Sequence, residues 1–340
     1  FSRPMQLVHA RYPSPLGYMD VSGMTPQQQQ VQVDVWMENE KKTGFELDEF
    51  PLIRYMLHKL GDDSFQFSYS FHHEIVDGWS DALMATQIVS RYMARINGQP
   101  YEVPKPTSTF RDAIHLEQQA LANEATREFW HRHMEDVEVM RLPNLNRPKA
   151  DKGDRVIVKF ELPLSMAQSD RIKALARAKA VPLKTVLLAA HVKVMSVMGG
   201  INDVMTYTVG NGRPENRDAH AVVGLFVNSL AFRQKLPGGT WSDLIHDALR
   251  TELQVLAHRR FPMAELKRQH GSEPLAETLF FFNHYHVTDV LSQWGNFSLD
   301  GLKVYAESTF PYCVNAYIEP FTGKLRVRVE YDRLQYSPQT

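Results

Sequence analysis

Hydrophobic and polar residues alternate most regularly across Phe65–Phe71, where aromatic residues occupy every second position. This period of two predicts a β-strand with one aromatic face and one small, polar face. His72 and His73 follow directly. Apolar residues then recur at helical spacing over residues 81–96, with Ser80 in the capping position. The segment therefore predicts a strand, a short turn and a helix.

Similar patterns predict further elements on both sides of this segment. Residues 1–30 are rich in Pro, Gly and Gln, which predicts extended chain with turns. The predicted helices cover residues 31–42, 109–134, 165–180, 183–198 and 241–257. The predicted strands cover residues 53–60, 156–162, 203–209, 279–287, 312–318 and 325–331. This mixture of elements predicts an α/β (α+β) fold.

The length of the chain predicts two lobes, because one hydrophobic core stops growing at about 250–300 residues and this chain has 340. Residues 142–153 contain two prolines and a cluster of polar and charged residues, which makes them the best linker candidate. We therefore expect one domain over residues 1–148 and a second over residues 149–340. The N-terminus has neither an initiator methionine nor an apolar signal core, so we expect it to continue a longer polypeptide.

Composition argues against several classes of function. The 38 Lys and Arg residues against 39 Asp and Glu residues give a net charge of -1, whereas a general nucleic-acid binder should be clearly basic. The longest apolar stretch, Val181–Met198, is interrupted by two lysines and a histidine, so we expect no membrane span. The single cysteine, Cys313, excludes an internal disulfide and multi-cysteine zinc sites, and it fits a reducing, cytoplasmic location.

The residues that follow the aromatic strand are the candidates for chemistry. If the alternation continues, His73 lies on the aromatic face and His72 on the opposite face, so the two imidazoles cannot easily ligate one metal ion. Partly dry, aromatic surroundings disfavour imidazolium, so we expect a neutral, proton-accepting His73. Asp77 and Gly78 predict a tight turn, in which Asp77 orients an imidazole or pairs with an arginine and Gly78 lets a ligand approach the backbone. A structural histidine beside a turn is the alternative.

Residues 72–78 read His-His-Glu-Ile-Val-Asp-Gly, which resembles the HHxxxDG signature of condensation domains from non-ribosomal peptide synthetases. The wider chloramphenicol-acetyltransferase-like superfamily shares the shorter HxxxDG pattern, and Trp79 and Ser80 continue the usual DGWS form. Further segments resemble family motifs in the family's order, namely residues 44–54, 110–112, 129–130, 212–214, 223–230 and 280–285. The resemblance covers nearly the whole chain.

The resemblance implies two chloramphenicol-acetyltransferase-like lobes in a V-shaped arrangement, with an incomplete N-terminal lobe because the family's earlier motifs are missing from this sequence. His73 is then the catalytic residue, midway along a tunnel between the lobes, and the Gly78 N–H helps to position the reactants. The missing motifs normally supply the arginine that pairs with the signature aspartate. The sequence therefore identifies no partner for Asp77.

The resemblance also implies supporting residues. Structural roles within the signature are expected for His72, Asp77, Trp79 and Ser80. Arg213 and Asn228 match motifs of the second lobe and are candidates for the tunnel, although we favour hydrogen bonding at strand ends for both. The basic stretch His258–Arg260, with Lys267 and Arg268, is a candidate surface for an acidic carrier protein. A solvated helix end explains that stretch more simply.

The implied partners are donor and acceptor peptidyl carrier protein domains, which deliver substrates on phosphopantetheine arms, and an adjacent adenylation domain in the parent polypeptide. No cofactor is expected to bind directly. His284 and His286 share one strand face, but the resemblance places them in a bridging segment, so we expect no metal site. The intact histidine pair argues against heterocyclisation, and Gly78-Trp79-Ser80 argues against epimerisation. Ordinary amide condensation is favoured.

Two other functions stay open at this point. One is a related acyltransferase that forms an ester on a soluble alcohol. The other is a catalytically idle module that only docks carrier proteins. The intact His73 and Asp77-Gly78 argue against the idle module, whereas the missing N-terminal motifs are compatible with it.

Overall fold

The structure is a computed structural model that describes residues 14–103, 105–143, 155–216, 218–271, 275–283, 308–319 and 322–336, with the single residues 5, 7, 303, 305 and 306. The chain divides into two compact units, residues 1–78 and 79–340. The domain boundary expected between residues 148 and 149 lies outside the described residues. The division of the chain at that point therefore stays a prediction.

The first unit contains a three-stranded sheet and one long helix. Its elements are β1 (Leu16–Asp20), α1 (Pro26–Thr43), β2 (Ile53–Lys59) and β3 (Phe65–Phe71). Strand β2 lies in the middle of the sheet, parallel to β1 and antiparallel to β3. The two strands predicted in this region are confirmed.

Helix α1 begins at Pro26 instead of residue 31, so the prediction of extended chain over residues 1–30 is wrong from Pro26 onward. A capping box explains the early start. The Gln28 N–H donates to the Thr25 hydroxyl (3.4 Å), and the Thr25 N–H donates to the Gln28 side chain (3.0 Å). Two backbone donors that the first helical turn leaves unpaired are thereby satisfied, and proline fits the first helical position.

Strand β3 has the predicted aromatic face. The ring centroids of Phe67 and Tyr69 are 5.7 Å apart, and those of Tyr69 and Phe71 are 6.1 Å apart. Contacts between residues two positions apart require side chains on the same face of the strand. Tyr55 of the neighbouring strand extends this row by stacking on Phe67 at 5.9 Å.

The second unit contains most of the helices and a six-stranded sheet. The helices are α2 (Gly78–Ile96, whose first residue belongs to the first unit), α3 (Phe110–Ala122), α4 (Glu124–Met134), α5 (Met166–Ala178), α6 (Leu183–Gly199), α7 (Trp241–Ala257) and α8 (Met263–Gln269). The strands are β4 (Ile157–Glu161), β5 (Asp203–Asn211), β6 (Val227–Lys235), β7 (Thr278–Asn283), β8 (Tyr312–Ile318) and β9 (Leu325–Asp332).

The six-stranded sheet has the order β4-β9-β8-β7-β5-β6 and is mixed. Strand β7 runs parallel to both of its neighbours, and the other pairs are antiparallel. Helices α6 and α7 supply part of the core through the fully or almost fully buried Leu188, Val192, Met195 and Ala248, which cluster with Phe232 of β6. Removal of these apolar side chains from water stabilises the unit. The mixed α/β class is the one that the sequence predicts.

Two predictions on the helices of this unit are wrong. The helix predicted over residues 109–134 is divided into α3 and α4 at Asn123, whose backbone is extended. The Asn123 side chain accepts a hydrogen bond from the Thr126 N–H (2.8 Å), so it caps a new helix. The helix predicted from residue 81 begins three positions earlier, at Gly78. Strand β6 and helix α8 were not predicted at all.

In the described part of the chain, no single helix has the length and hydropathy of a membrane span. Helices α5 and α6 meet that criterion only when they are taken together, across a bend of 105°.

Candidate active site

The backbone turns immediately after β3, and His72 holds this turn. The His72 N–H donates to the Leu52 carbonyl (2.9 Å), and the Ile75 N–H donates to the His72 carbonyl (3.2 Å). The imidazole Nδ1 of His72 accepts from the Glu74 N–H (3.2 Å). The ring also meets Phe45 edge-on, with centroids 6.4 Å apart. Backbone and side chain of His72 are both used in local structure.

His73 lies in the turn at residues 73–75, and its side chain is exposed. The expectation that His73 continues the aromatic face is therefore wrong. Its physical basis was the period of two, which applies only while the backbone stays extended, and the strand ends at Phe71. The partly dry surroundings expected for this imidazole are likewise not found. The imidazole is accessible to solvent in this structure.

Asp77 and Gly78 lie at the start of α2. Asp77 is 1% exposed. It directly precedes the helix, where the helix dipole and unpaired N–H groups favour a carboxylate. Gly78 is exposed, and a Cβ at this position would meet no atom within 4 Å. Open space therefore lies beside the Gly78 backbone.

The prediction that Ser80 caps a helix beginning at Asp81 is wrong, because α2 already begins at Gly78. The Ser80 side chain is fully buried in the second unit instead. The hydroxyl donates to the Gly224 carbonyl (2.8 Å) and accepts from the Gly224 N–H (3.0 Å). It also accepts from Nη2 of Arg213 (2.7 Å). The structure thus brings together Ser80 and Arg213, which belong to two separate motifs in the sequence.

Residues 212–226 join β5 to β6 and are here called the β5–β6 loop. Arg213 lies in this loop and is 7% exposed. Its Nη1 donates to the carbonyl groups of Ala219 (2.9 Å) and Val222 (2.6 Å). Its guanidinium carbon lies 3.9 Å from the centroid of the Phe226 ring, which is a cation–π contact. One buried side chain therefore fixes the path of this loop at several points.

Trp79 and Gly224 tie the same loop to neighbouring helices. The indole Nε1–H of Trp79 donates to the His220 carbonyl (2.9 Å). A Cβ at Gly224 would lie 2.5 Å from a ring carbon of Phe110, so this position requires glycine. Residues 223–230 resemble a family motif, but the resemblance assigns no role to Gly224. The only signal was a glycine inside that motif.

Asp218 anchors the far side of the β5–β6 loop to the segment that leads into α3. Its carboxylate accepts hydrogen bonds from the Thr107 N–H (2.5 Å), the Thr107 hydroxyl (2.7 Å) and the Ser108 hydroxyl (2.6 Å). These donors stabilise the ionised form, and they hold the pKa of Asp218 well below its usual range. Asp218 lies outside the motifs that mark the candidate site in the sequence.

The basic residues at the end of α7 also contact this loop. Nη2 of Arg260 donates to Glu215 (2.6 Å), and Nε of Arg259 donates to the Asn211 carbonyl (2.8 Å). Arg259 also pairs with Glu215, and the hydrogen bond from Arg260 lowers the pKa of that carboxyl. Both arginines are therefore used within the second unit, which weakens the idea that they form a surface for a carrier protein.

Asn228 lies in β6 and bonds to the backbone between α7 and α8. Its side-chain Nδ2 donates to the carbonyl groups of Arg259 (3.0 Å) and Phe261 (2.7 Å). Its Oδ1 accepts from the Met263 N–H (3.3 Å). Backbone partners thus take up most of the hydrogen-bonding capacity of the amide, which favours the structural role over a place in a tunnel.

The metal question is limited to the part of the chain that the structure describes. There, no group of three or more His, Cys, Asp or Glu side chains is arranged to hold a metal ion. His284 and His286 lie outside these residues.

Comparison with known proteins identifies the family. The model of the condensation-domain family matches residues 2–340. The AMB antimetabolite synthetase AmbE of Pseudomonas aeruginosa is 30% identical over 292 residues, which are 84% of this chain and 13% of that protein. The chain thus spans only a small part of the curated relative that it matches.

Solved structures show the same fold. A four-domain nonribosomal peptide synthetase bound to AMP and glycine superimposes with a TM-score of 0.75 at 17% identity, over 97% of this chain and 26% of that one. The starter condensation domain of rhizomide synthetase, in a mutant bound to C8-CoA and Leu-SNAC, gives a TM-score of 0.72 at 17% identity, over 96% of this chain and 73% of that one.

The family model, the similar proteins and the signature at residues 72–78 all indicate the same family. The chain belongs to the condensation-domain family of non-ribosomal peptide synthetases, whose fold is chloramphenicol-acetyltransferase-like.

Proposed function

We propose that this chain forms a peptide bond between two carrier-bound substrates. The donor is an acyl or peptidyl thioester and the acceptor is the amine of an aminoacyl thioester, each held on the phosphopantetheine arm of a peptidyl carrier protein domain. The observation that carries the proposal is the intact signature, with an exposed His73 and open space beside the Gly78 backbone. Both positions are accessible to a substrate from solvent.

The solved relatives support this choice of substrates. The rhizomide starter domain was captured with C8-CoA and Leu-SNAC, an acyl thioester and an aminoacyl thioester. The four-domain synthetase is bound to AMP and glycine. Glycine is a substrate and AMP a product expected of a neighbouring domain that activates amino acids. We extend these features to this chain, with an adjacent adenylation domain and two carrier domains as its partners.

In the proposed reaction the acceptor nitrogen attacks the thioester carbonyl, a C–N bond forms and the C–S bond breaks. The proton lost by nitrogen passes to Nδ1 or Nε2 of His73 and then to the departing sulfur. A free α-amine has a pKa of about 8, so part of it is neutral at physiological pH. His73 therefore orients the amine and accepts its proton as charge develops. The Gly78 N–H, at a helix start, contributes to positioning.

The test is single-turnover transfer in the full-length protein with loaded donor and acceptor carriers. We expect His73→Ala to lower the transfer rate about 100-fold or more, the range of general acid–base catalysis. His115→Ala, which removes an exposed histidine from α3, is the matched control and should retain the wild-type rate. Wild-type transfer by His73→Ala would remove the catalytic assignment.

The same assay separates the other candidate functions. Ester formation with a soluble alcohol in place of the amine would favour the related acyltransferase. Capture of loaded carriers without any product would favour the docking module.

A further inference from the structure

The hydroxyl of Ser80 is a hydrogen-bonding hub inside the second unit. A serine hydroxyl offers one proton and two acceptor lone pairs. The proton goes to the Gly224 carbonyl, and the lone pairs receive the Gly224 N–H and Nη2 of Arg213. All three capacities are therefore used at 2.7–3.0 Å, in a side chain with no exposed surface.

This use of Ser80 is unusual for its position in the helix. Serine near a helix start commonly caps it, by accepting from the N–H groups of the first turn. Ser80 is the third residue of α2, and its hydroxyl is directed to Gly224 and Arg213, 144 and 133 positions away in sequence. The first helical turn is therefore attached to distant structure.

Arg213 gives this attachment its rigidity. Its guanidinium reaches Ser80 with one nitrogen and the carbonyl groups of Ala219 and Val222 with another, while its face packs on Phe226. The planar, multiply bonded fork of arginine holds such partners in one geometry, whereas a lysine ammonium does not. Gly224 contributes by allowing the loop to approach Phe110.

Gly78 and Ser80 share the first turn of α2, where neighbouring residues rise only about 1.5 Å along the axis. Helix ends fray unless side chains or tertiary contacts hold them. A displacement of about 1 Å at a reacting group is enough to lower a rate about 100-fold. The hydrogen bonds of Ser80 to Gly224 and Arg213 therefore also restrict the position of the Gly78 backbone.

We infer that Ser80 and Arg213 are positioning residues for peptide-bond formation, which hold the first turn of α2 so that the Gly78 backbone keeps its productive place. The inference rests on the proposed function. Neither side chain touches a reacting atom in this assignment. Both act through the helix start.

Single-turnover transfer in the full-length protein tests the inference with two variants that break one contact from opposite sides. We expect Ser80→Ala and Arg213→Lys each to lower the rate per folded molecule about 10- to 100-fold, up to the effect of a displacement of about 1 Å at a reacting group. The acceptor concentration for half-maximal rate should stay unchanged. The double variant should lose less than the product of the two single losses, because the Ser80–Arg213 hydrogen bond is removed in both single variants.

Two matched controls separate positioning from stability. Ser196→Ala removes another buried hydroxyl, which donates to the Ile201 carbonyl (2.6 Å). Arg233→Lys alters another arginine fork, which bonds to Asp203 and to the carbonyl groups of His133 and Glu135. Both controls should unfold at lower denaturant concentration yet keep the wild-type rate per folded molecule.

Hydrogen exchange provides a second readout, because the amides of residues 79–82 should exchange faster in Ser80→Ala and Arg213→Lys than in either control. If Ser80→Ala transfers at the wild-type rate while His73→Ala does not, the positioning role is wrong and the proposed function stands. If His73→Ala also transfers normally, the proposed function itself is wrong. If Arg213→Lys does not fold, the transfer rate of Ser80→Ala alone tests the positioning role, because this variant removes the same hydrogen bond from the serine side.

Discussion

The side-chain Nδ2 of Asn228 lies 2.7 Å from the carbonyl oxygen of Phe261, to which it donates a hydrogen bond. Phe261 is 1% exposed and belongs to a core cluster with Trp130, Leu230 and Leu266. Asn228 of β6 thus fixes the connection between α7 and α8 at Phe261, whose aromatic side chain packs in the core.

Asn228→Ala should destabilise the protein without impairing the chemistry of a folded molecule. The variant leaves two carbonyl groups and the Met263 N–H without their partner, and a buried polar group without a partner costs about 1–3 kcal/mol. Urea unfolding should show a loss of about 2 kcal/mol or more. Single-turnover transfer, measured well below the unfolding midpoint, should stay near the wild-type rate. A stable variant with a lost rate would place Asn228 in the reaction instead.

Gly78→Ala should have the opposite profile, with intact stability and a lost rate. Gly78 is the first residue of α2 and has free space around its Cβ position, and replacing glycine by alanine where the backbone allows it stabilises a protein by about 0.4–1 kcal/mol. The added methyl group fills the space through which we propose that the substrate reaches this backbone. We expect an unfolding midpoint at or above that of the wild type and a rate reduced at least about 10-fold.

Gly23→Ala is the control for this prediction, because Gly23 also has no atom within 4 Å of its Cβ position but lies outside the signature. It should keep the wild-type rate. An active Gly78→Ala protein would show that the space beside Gly78 is not used in the reaction.

The elements predicted well from the sequence are those whose pattern is strong and local. Helix α7 and strand β8 have the predicted bounds, and β3 has the predicted face. The errors occur where a single side chain overrides the pattern. Asn123 divides a continuous apolar stripe by capping a new helix, and Thr25 with Gln28 starts α1 early.

The candidate site was predictable only in part, for the same physical reason. A motif locates His73 and Gly78 along the chain, but the exposure of His73 depends on where the strand ends. The contact between Ser80 and Arg213 spans 133 positions, and no local pattern encodes it. Strand β6, the last in the order of the six-stranded sheet, is not evident from the sequence because Asn228 and Arg233 interrupt its apolar pattern. Their tertiary partners make these polar residues compatible with the strand.

Cys313 should be unreactive in the folded protein. Its side chain is 1% exposed, and burial raises the pKa of the thiol to about 11, so almost no thiolate is present at pH 8. A colorimetric disulfide reagent should therefore label no thiol in native protein and one in guanidinium chloride, since Cys313 is the only cysteine. Ser22→Cys, at an exposed position, is the positive control and should react at once. Rapid labelling of native wild-type protein would contradict the burial of Cys313.

The stability of the fold should decrease as the pH falls from 6.5 to 5, and His191 should account for part of the decrease. Its ring is buried, with Nε2 3.0 Å from the Thr206 hydroxyl, and burial lowers its pKa to about 3. In the unfolded chain the pKa of histidine is about 6.5. Between about pH 3 and pH 6.5 the imidazole of His191 is protonated in the unfolded chain but not in the folded protein. The contribution of the neutral, buried His191 to the free energy of unfolding is therefore fully present above pH 6.5. It decreases by about 1.4 kcal/mol per pH unit as the pH falls below 6.5.

Urea unfolding of wild type and His191→Gln at several pH values from 5 to 7.5 checks this sign and size. Above pH 5 the carboxyl groups contribute little, because their pKa values in unfolded chains are about 4. We expect the variant to be less stable at pH 7.5 but to have a slope smaller by about 1.4 kcal/mol per pH unit below pH 6.5. His133→Gln should reduce the slope similarly, because burial lowers the pKa of His133 to about 4. The two reductions should add in the double variant, and an unchanged slope in His191→Gln would mean that burial does not lower the pKa of this imidazole.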